Sequence, residues 1–184
     1  MKLLIGYAST EGQSRKIARH IADKLMDQGH GIELLSLEDA EGLEPDRFDR
    51  AVLVASVHAG QYRKELSGFA SDHRSWLDRH PVLFLSVSLA AAGHEAEDWR
   101  GLERIIDDFA EVTGWTPDRI EQVAGAYRPS RYDMFTRFIM RRIIASKDPG
   151  ADLESDKEYT DWAALDRLVT IGWAADLAGA PVGS

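Results

Sequence analysis

Three hydroxyls and a glycine fall within six consecutive positions, Ser9-Thr10-Glu11-Gly12-Gln13-Ser14. Ser9, Thr10 and Ser14 can each donate a hydrogen bond to an anion, and Gly12 lets the backbone turn tightly between Glu11 and Gln13. If a helix starts here, the amides of its first turn have no partner within the helix and sit at its positive end. The ligand that such a loop suits is a dianionic phosphate.

The flanking residues supply the elements this site needs. Leu3, Leu4, Ile5 and Tyr7 form a short apolar run of the kind expected for a strand buried on both faces. From Ser14 the period changes: Ile17, Ile21 and Leu25 recur every four residues with Ala18 and Ala22 beside them, and Gly29 follows as a stop. A triphosphate loop would require Gly-Lys-Ser/Thr and a dinucleotide fold Gly-x-Gly-x-x-Gly; neither is present. A response-regulator receiver would place acids after its first strand, where Tyr7-Ala8-Ser9 stand. The loop resembles the hydroxyl-rich one by which flavodoxins hold the phosphate of FMN.

Further strands are expected at Ile32–Leu37, Ala51–Ala55, Val82–Val87 and Ile120–Ala126. Helical repeats cover Leu66, Phe69, Ala70, His73, Trp76 and Leu77, then Leu102, Ile105, Ile106, Phe109 and Val112 as far as Gly114, and last Trp162, Leu165, Leu168, Val169 and Trp173. The acidic connection from Glu38 to Asp49 reads as a solvated loop or a short surface helix. Five strands alternating with helices predict an α/β doubly wound parallel sheet of order 2-1-3-4-5, in one domain over residues 1–184.

Ligands of such sheets bind beyond the carboxyl ends of the strands, where strand order reverses. Three loops are expected there: Ser9–Ser14 on the phosphate, with Ser56-Val57-His58-Ala59-Gly60-Gln61-Tyr62 and Ser88-Leu89-Ala90 beside the flavin ring. Gly60 reads either as a turn glycine or as a peptide that approaches the ring and turns over with redox state. Tyr62 reads as a ring-stacking residue or as a lid on the core, and His58 as a proton donor or a plain loop histidine. His73, at the border of a helical stripe, reads as structural, and the role of His94 stays open.

With 22 basic and 31 acidic residues the net charge is -9, which disfavours nucleic acid as a partner. The lack of cysteine excludes disulfides, thiol catalysis and thiolate metal sites, and favours an intracellular setting. Met1–Ala8 is too short an apolar stretch for a signal peptide, and no segment is long and apolar enough to span a membrane.

Tyr127 to Tyr159 is an insertion too long for a simple strand-to-helix connection. It begins with six positive residues, Arg128, Arg131, Arg137, Arg141, Arg142 and Lys147, against Asp133 alone. It ends acidic, at Asp148, Asp152, Glu154, Asp156 and Glu158, so its first half is expected to face something anionic. As a helix, Tyr132–Ile144 would carry Tyr132, Phe135, Ile139 and Ile143 on one side and Asp133, Arg137 and Arg141 on the other. Phe138, Met134 and Met140 add apolar surface beyond that stripe. Either it lies in a membrane interface or it packs on the domain with its arginines in solvent.

The three loops together with Ser86-Val87-Ser88-Leu89, Gly125-Ala126-Tyr127-Arg128-Pro129-Ser130-Arg131-Tyr132 and Tyr159-Thr160-Asp161-Trp162 resemble the flavodoxin-like, menaquinone-dependent protoporphyrinogen IX dehydrogenases over nearly the whole chain. The resemblance implies FMN as cofactor, a porphyrinogen-like substrate that loses six electrons in three two-electron steps, and a membrane quinone as acceptor. It further implies that Arg128, Arg131, Arg137, Arg141 and Arg142 meet propionates or lipid phosphates, that no dedicated acid-base residue is needed, and that the protein is cytoplasmic, with peripheral contact at the inner face of the membrane through the insertion. Where the family carries basic residues after the third loop, this chain has Ala90-Ala91-Ala92-Gly93-His94-Glu95. Another FMN-dependent quinone oxidoreductase, a flavodoxin-type electron carrier and a fold that has lost its flavin are the alternatives.

Overall fold

In the computed structural model, which describes residues 1–132 and 134–173, five parallel strands form the centre. They are β1 (Lys2–Ala8), β2 (Gly31–Ser36), β3 (Arg50–His58), β5 (Val82–Ser88) and β6 (Arg119–Ala124), side by side in the order β2-β1-β3-β5-β6. A two-residue strand, β4 (Gln61–Tyr62), folds back antiparallel on β3. The five-strand order is the one the sequence predicts, since β4 lies off the parallel path.

Why the sheet is covered on both sides follows from the two-residue period of its strands. Leu3, Ile5, Val52, Val54, Leu83 and Leu85 enter one core with Ile17, Ile21 and Leu25 of helix α1 (Gln13–Asp27) and with Leu165, Val169 and Trp173 of the last helical segment. The residues between them, Leu4, Leu53 and Phe84, enter the other core with Leu66 and Phe69 of α2 (Lys64–Asp72), Trp76 and Leu77 of α3 (Arg74–Leu77), and Phe109 of α4 (Ala96–Thr113). Each fully buried leucine or isoleucine of the α1 stripe contributes about 1.5–3 kcal/mol of transfer free energy. Gly29, at φ +84, ends α1: its N-H donates to Met26 O and that of His30 to Leu25 O.

Three expectations need correction. The helix across residues 66–77 is two, because the backbone of His73 leaves helical geometry (φ -109, ψ 15) with its ring against Phe69. The stretch 56–62 is not an open loop: β3 runs through His58 and turns at Ala59-Gly60 into β4. Both turn residues have positive φ (49 and 76), the geometry whose twist suits a two-residue hairpin. The expected strand 120–126 ends at Ala124, because Gly125 donates its N-H to Ser88 O and accepts at its own carbonyl from Tyr159 N-H.

Beyond Gly125 the chain leaves the sheet. β7 (Ala126–Tyr127) pairs antiparallel with β8 (Lys157–Glu158), so the insertion starts and finishes at one two-stranded ribbon. Between them runs α5 (Met134–Lys147). After the ribbon, Asp161 caps α6 (Trp162–Arg167) by accepting from Ala164 N-H at 2.9 Å, and residues 168–173 continue as a wider helical turn. Asp133 and the side chain of Phe135, both part of the predicted insertion helix, lie outside the described residues. Among the described residues no helix is long and apolar enough to cross a membrane.

Candidate functional site

At the carboxyl ends of β1, β3 and β5 the three predicted loops meet around a cavity of about 430 Å³, within the range of small-molecule sites. Glu11 and Gln13 border it from the first loop, Ser56 to Gly60 from the second, and Ser88 and Leu89 from the third. Gly125 and Ala126 close one side. The roof is α5, through Thr136, Ile139, Met140 and Ile143, with Tyr132 before it.

The first loop has the form a phosphate requires. Gly12 stands at the N-terminus of α1 with φ +95, no side chain caps the helix, and its first turn carries no acid. Ser9 Oγ accepts from Gly12 N-H at 3.0 Å, which tightens the turn. Ser14 is fully buried, yet its hydroxyl finds no hydrogen-bond partner, and the same holds for Ser56 at the end of β3. A buried hydroxyl without a partner costs about 1–3 kcal/mol. An uncapped helix end, two orphaned hydroxyls and an adjoining cavity fit a phosphate-bearing planar cofactor such as FMN.

Of the ring-side candidates, Val57, His58, Ala59 and Gly60 border the cavity. His58 is half exposed, with Nδ1 3.5 Å from Glu11 Oε1 across the site. A Cβ on Gly60 would meet nothing within 4 Å, so its positive φ, not crowding, calls for glycine there. Tyr62 does not reach the cavity: it is buried edge-on against Phe84 and Phe109, and its Oη donates to Ser86 Oγ at 2.8 Å. Of the two readings of Tyr62 the lid on the core is the one its contacts match, and burial pushes its pKa up to about 12. Ala90 stands just outside the lining, in a short turn after Leu89, and His94 is exposed.

The insertion is joined to the phosphate loop through one side chain. Buried Gln13 donates from Nε2 to Thr160 Oγ1 (2.9 Å) and Glu158 Oε2 (3.0 Å), and accepts from Arg128 Nη2 (3.0 Å). Thr160 Oγ1 in turn donates to Ala124 O at 2.7 Å. Burial works against the Glu158 carboxylate, but hydrogen bonds from Lys16, Gln13 and Trp162 outweigh it and hold the pKa below the ordinary value. The sequence marks this network only as a cluster of charges.

The five arginines part company. Arg128 is also paired with Asp156 (3.5 Å), Arg131 Nη1 donates to Glu11 O (2.8 Å), and Arg137 Nε donates to Pro129 O (3.1 Å). Arg141 pairs with Glu154 at 2.7 Å and Arg142 is exposed; these two face outward beside Met134 and Phe138, which are 90% and 61% exposed. The apolar stripe of the insertion helix, Ile139 and Ile143, is turned into the cavity. Thr136 and Met140 border it as well although neither falls on the stripe, and nothing in the sequence marks Arg63, which donates to Ser9 O at 3.1 Å.

Comparison with known proteins agrees with this geometry. A flavodoxin-domain family model matches residues 4–153. The protoporphyrinogen IX dehydrogenase (quinone) of Escherichia coli strain K12 is 30% identical over 162 residues, covering 88% of this chain and 89% of that protein. Its counterpart from Leishmania major is 28% identical over 184 residues, covering 98% of this chain and 76% of its own. A cysteine-to-serine variant of the flavodoxin from Pseudomonas aeruginosa shares the fold with a TM-score of 0.50 at 14% identity, over 79% of this chain and 95% of that one. The chain therefore belongs to the flavodoxin-domain family and is a homologue of the quinone-dependent protoporphyrinogen IX dehydrogenases.

Proposed function

We propose that this chain is an FMN-dependent oxidoreductase that takes electrons from protoporphyrinogen IX and delivers them to a membrane quinone, in haem biosynthesis. The observation that carries the reading is the roofed cavity: α5 lays Thr136, Ile139, Met140 and Ile143 over the place where the second and third loops meet. A pure electron carrier needs only an exposed ring edge, whereas an apolar chamber beside it suits a large, flat organic substrate.

FMN would supply the two-electron chemistry, used three times for six electrons. Ser9, Thr10, Ser14 and the first-turn amides of α1 hold its phosphate, while Glu11, Gly12 and Gln13 shape the loop. Ser56 to Gly60, with Ser88, Leu89 and Ala90, hold the ring and keep water from it. On the outward face of α5, Arg141 and Arg142 meet anionic head groups while Met134 and Phe138 dip beneath them, which brings the site to a quinone dissolved in the bilayer from the cytoplasmic side.

The test is anaerobic. Protein reconstituted with FMN is mixed with protoporphyrinogen IX and then with a soluble menaquinone analogue, and the flavin absorption band is followed. Bleaching and recovery are expected; a bound flavin that protoporphyrinogen leaves oxidised would sink the substrate assignment. One observation favours a different donor as the second reading: the third loop offers no cation of its own. The nearby Lys147, 3.4 Å from where a Gly93 Cβ would lie, is already paired with Asp98.

A further inference from the structure

We infer that Arg131 and Arg63 are positioning residues for the cofactor phosphate, and that through Arg131 the insertion is coupled to the phosphate site, so that filling the site steadies the insertion over the cavity. The inference rests on the flavin reading above.

Two carbonyls of the phosphate loop are held by guanidinium groups from outside it. Arg63, between β4 and α2, donates to Ser9 O at 3.1 Å, and Arg131, from the insertion, donates to Glu11 O at 2.8 Å. No peptide bond of the described chain is cis. In a trans peptide the carbonyl and the following N-H point to opposite sides, so pinning the carbonyl of Ser9 fixes the direction of the Thr10 N-H, and pinning that of Glu11 fixes the Gly12 N-H. The latter is held at its other end by Ser9 Oγ at 3.0 Å. The Gly12 N-H, spent on Ser9, thus holds the turn, while the Thr10 N-H, its direction fixed before the ligand arrives, can meet an anion without a further ordering cost.

The two arginines are not equivalent. Arg63 is neutralised by Glu38 and Glu65. Among the described residues no carboxylate pairs with Arg131, so its charge remains to act on a dianion beside it. Its Nη1 lies 3.1 Å from where a Gly12 Cβ would stand, directly against the turn that opens α1. A Cβ at position 12 would press on this guanidinium, which would have to give by a few tenths of an ångström.

Arg131 also sits in the segment that suspends the roof. Arg128 reaches Gln13 at 3.0 Å, Arg131 reaches Glu11, and α5 begins at Met134. Phosphate in the loop would hold Arg131 where it stands and favour the ordered insertion; by linkage, an ordered insertion raises affinity for the phosphate by the same factor.

The experiment compares FMN with riboflavin, which lacks the phosphate, by quenching of flavin fluorescence in the wild type, Arg131→Ala and Arg131→Lys, with hydrogen exchange of residues 127–159 measured beside it. The wild type is expected to bind FMN far more tightly than riboflavin, and FMN alone to protect the insertion. Arg131→Ala should weaken FMN roughly ten- to a hundredfold, leave riboflavin within about twofold and abolish the protection. Arg131→Lys, which keeps the charge without the fork and provides the readout if the alanine variant fails to fold, should fall between them. Equal affinity of the wild type for both flavins would overturn the phosphate-site reading itself. Discrimination that survives in Arg131→Ala or in Arg131→Lys at the wild-type level, or protection equal with both flavins, would overturn the role of Arg131 and leave that reading intact.

Discussion

Gln13 and Thr160 meet at 2.9 Å although 147 positions separate them, and Thr160 passes the connection on to Ala124 O at the end of β6. One amide side chain thus ties the first helix of the fold to the residue that follows the insertion. Gln13→Leu leaves Arg128 short of an acceptor and removes one donor each from Glu158 and Thr160. A loss of about 1–3 kcal/mol is expected in urea unfolding, with hydrogen exchange in residues 126–132 and 156–160 rising more than in the central strands.

The hairpin at Ala59-Gly60 holds an alanine in left-handed geometry, φ 49, which costs about 1 kcal/mol. Ala59→Gly should raise the midpoint of thermal unfolding, by a stabilisation of about 0.5–1 kcal/mol. Gly60→Ala should lower it by about 1 kcal/mol through φ alone, since a methyl there meets nothing within 4 Å.

Burial raises the pKa of Tyr62 to about 12, against 10 in the unfolded chain. The folded form therefore resists ionisation: stability is intact below pH 10 and is lost progressively as pH climbs from 10 towards 12. Tyr62→Phe, although it leaves Ser86 Oγ without this donor and costs about 1 kcal/mol at neutral pH, should flatten that alkaline loss. Urea unfolding of both proteins at pH 8 and pH 11 gives the comparison.

At the acid end the insertion should loosen before the sheet. Hydrogen bonds from Lys157 and Tyr159 hold the Asp148 pKa below its ordinary value, that from Ser130 does the same for Asp156, and Glu158 is lowered as well. Lowered carboxylates stabilise the fold above their unfolded pKa, near 4, and cease to do so as pH falls below it. Limited proteolysis with pepsin, stepped down from pH 5, should cut first within residues 128–156; simultaneous loss of the central strands would contradict this.

Vesicles containing anionic lipid should retain the wild type at low salt and release it as salt rises. Arg141→Glu with Arg142→Glu should abolish sedimentation with the vesicles while leaving FMN affinity within about twofold, because neither residue lines the cavity. Arg137→Glu is a poorer probe than the sequence suggests, since Arg137 serves the backbone at Pro129 and Tyr132.

The turn at Ser9–Ser14, the α1 stripe and the strand order were legible because each is written in neighbouring residues: a change from apolar run to four-residue period, glycines at stops, and hydroxyls at the turn. What escaped was written across distance or in residues without a signal. Gly60 offered a turn, but Ala59 has no turn chemistry, so the sequence did not mark that β3 continues to His58 and folds back there. The arginines showed as a basic run, but whether each one meets a carbonyl, a carboxylate or solvent is decided by partners up to 120 positions away, as for Arg131 and Glu11. Tyr62 offered two readings of equal merit from sequence; the three-sided aromatic packing around Phe84 and Phe109 decides where it sits.

The ribbon of β7 and β8 sets the two ends of the insertion one strand spacing apart, about 5 Å. Whatever is spliced between Arg131 and Lys157 leaves the register of the central sheet untouched, so length there can vary while Arg128 and Arg131 keep their hold on Gln13 and Glu11. The scaffold is in this sense indifferent to its own specialisation. Trimmed to a two-residue turn, the same sheet would present a bare flavin edge to a passing protein; extended, it encloses a chamber.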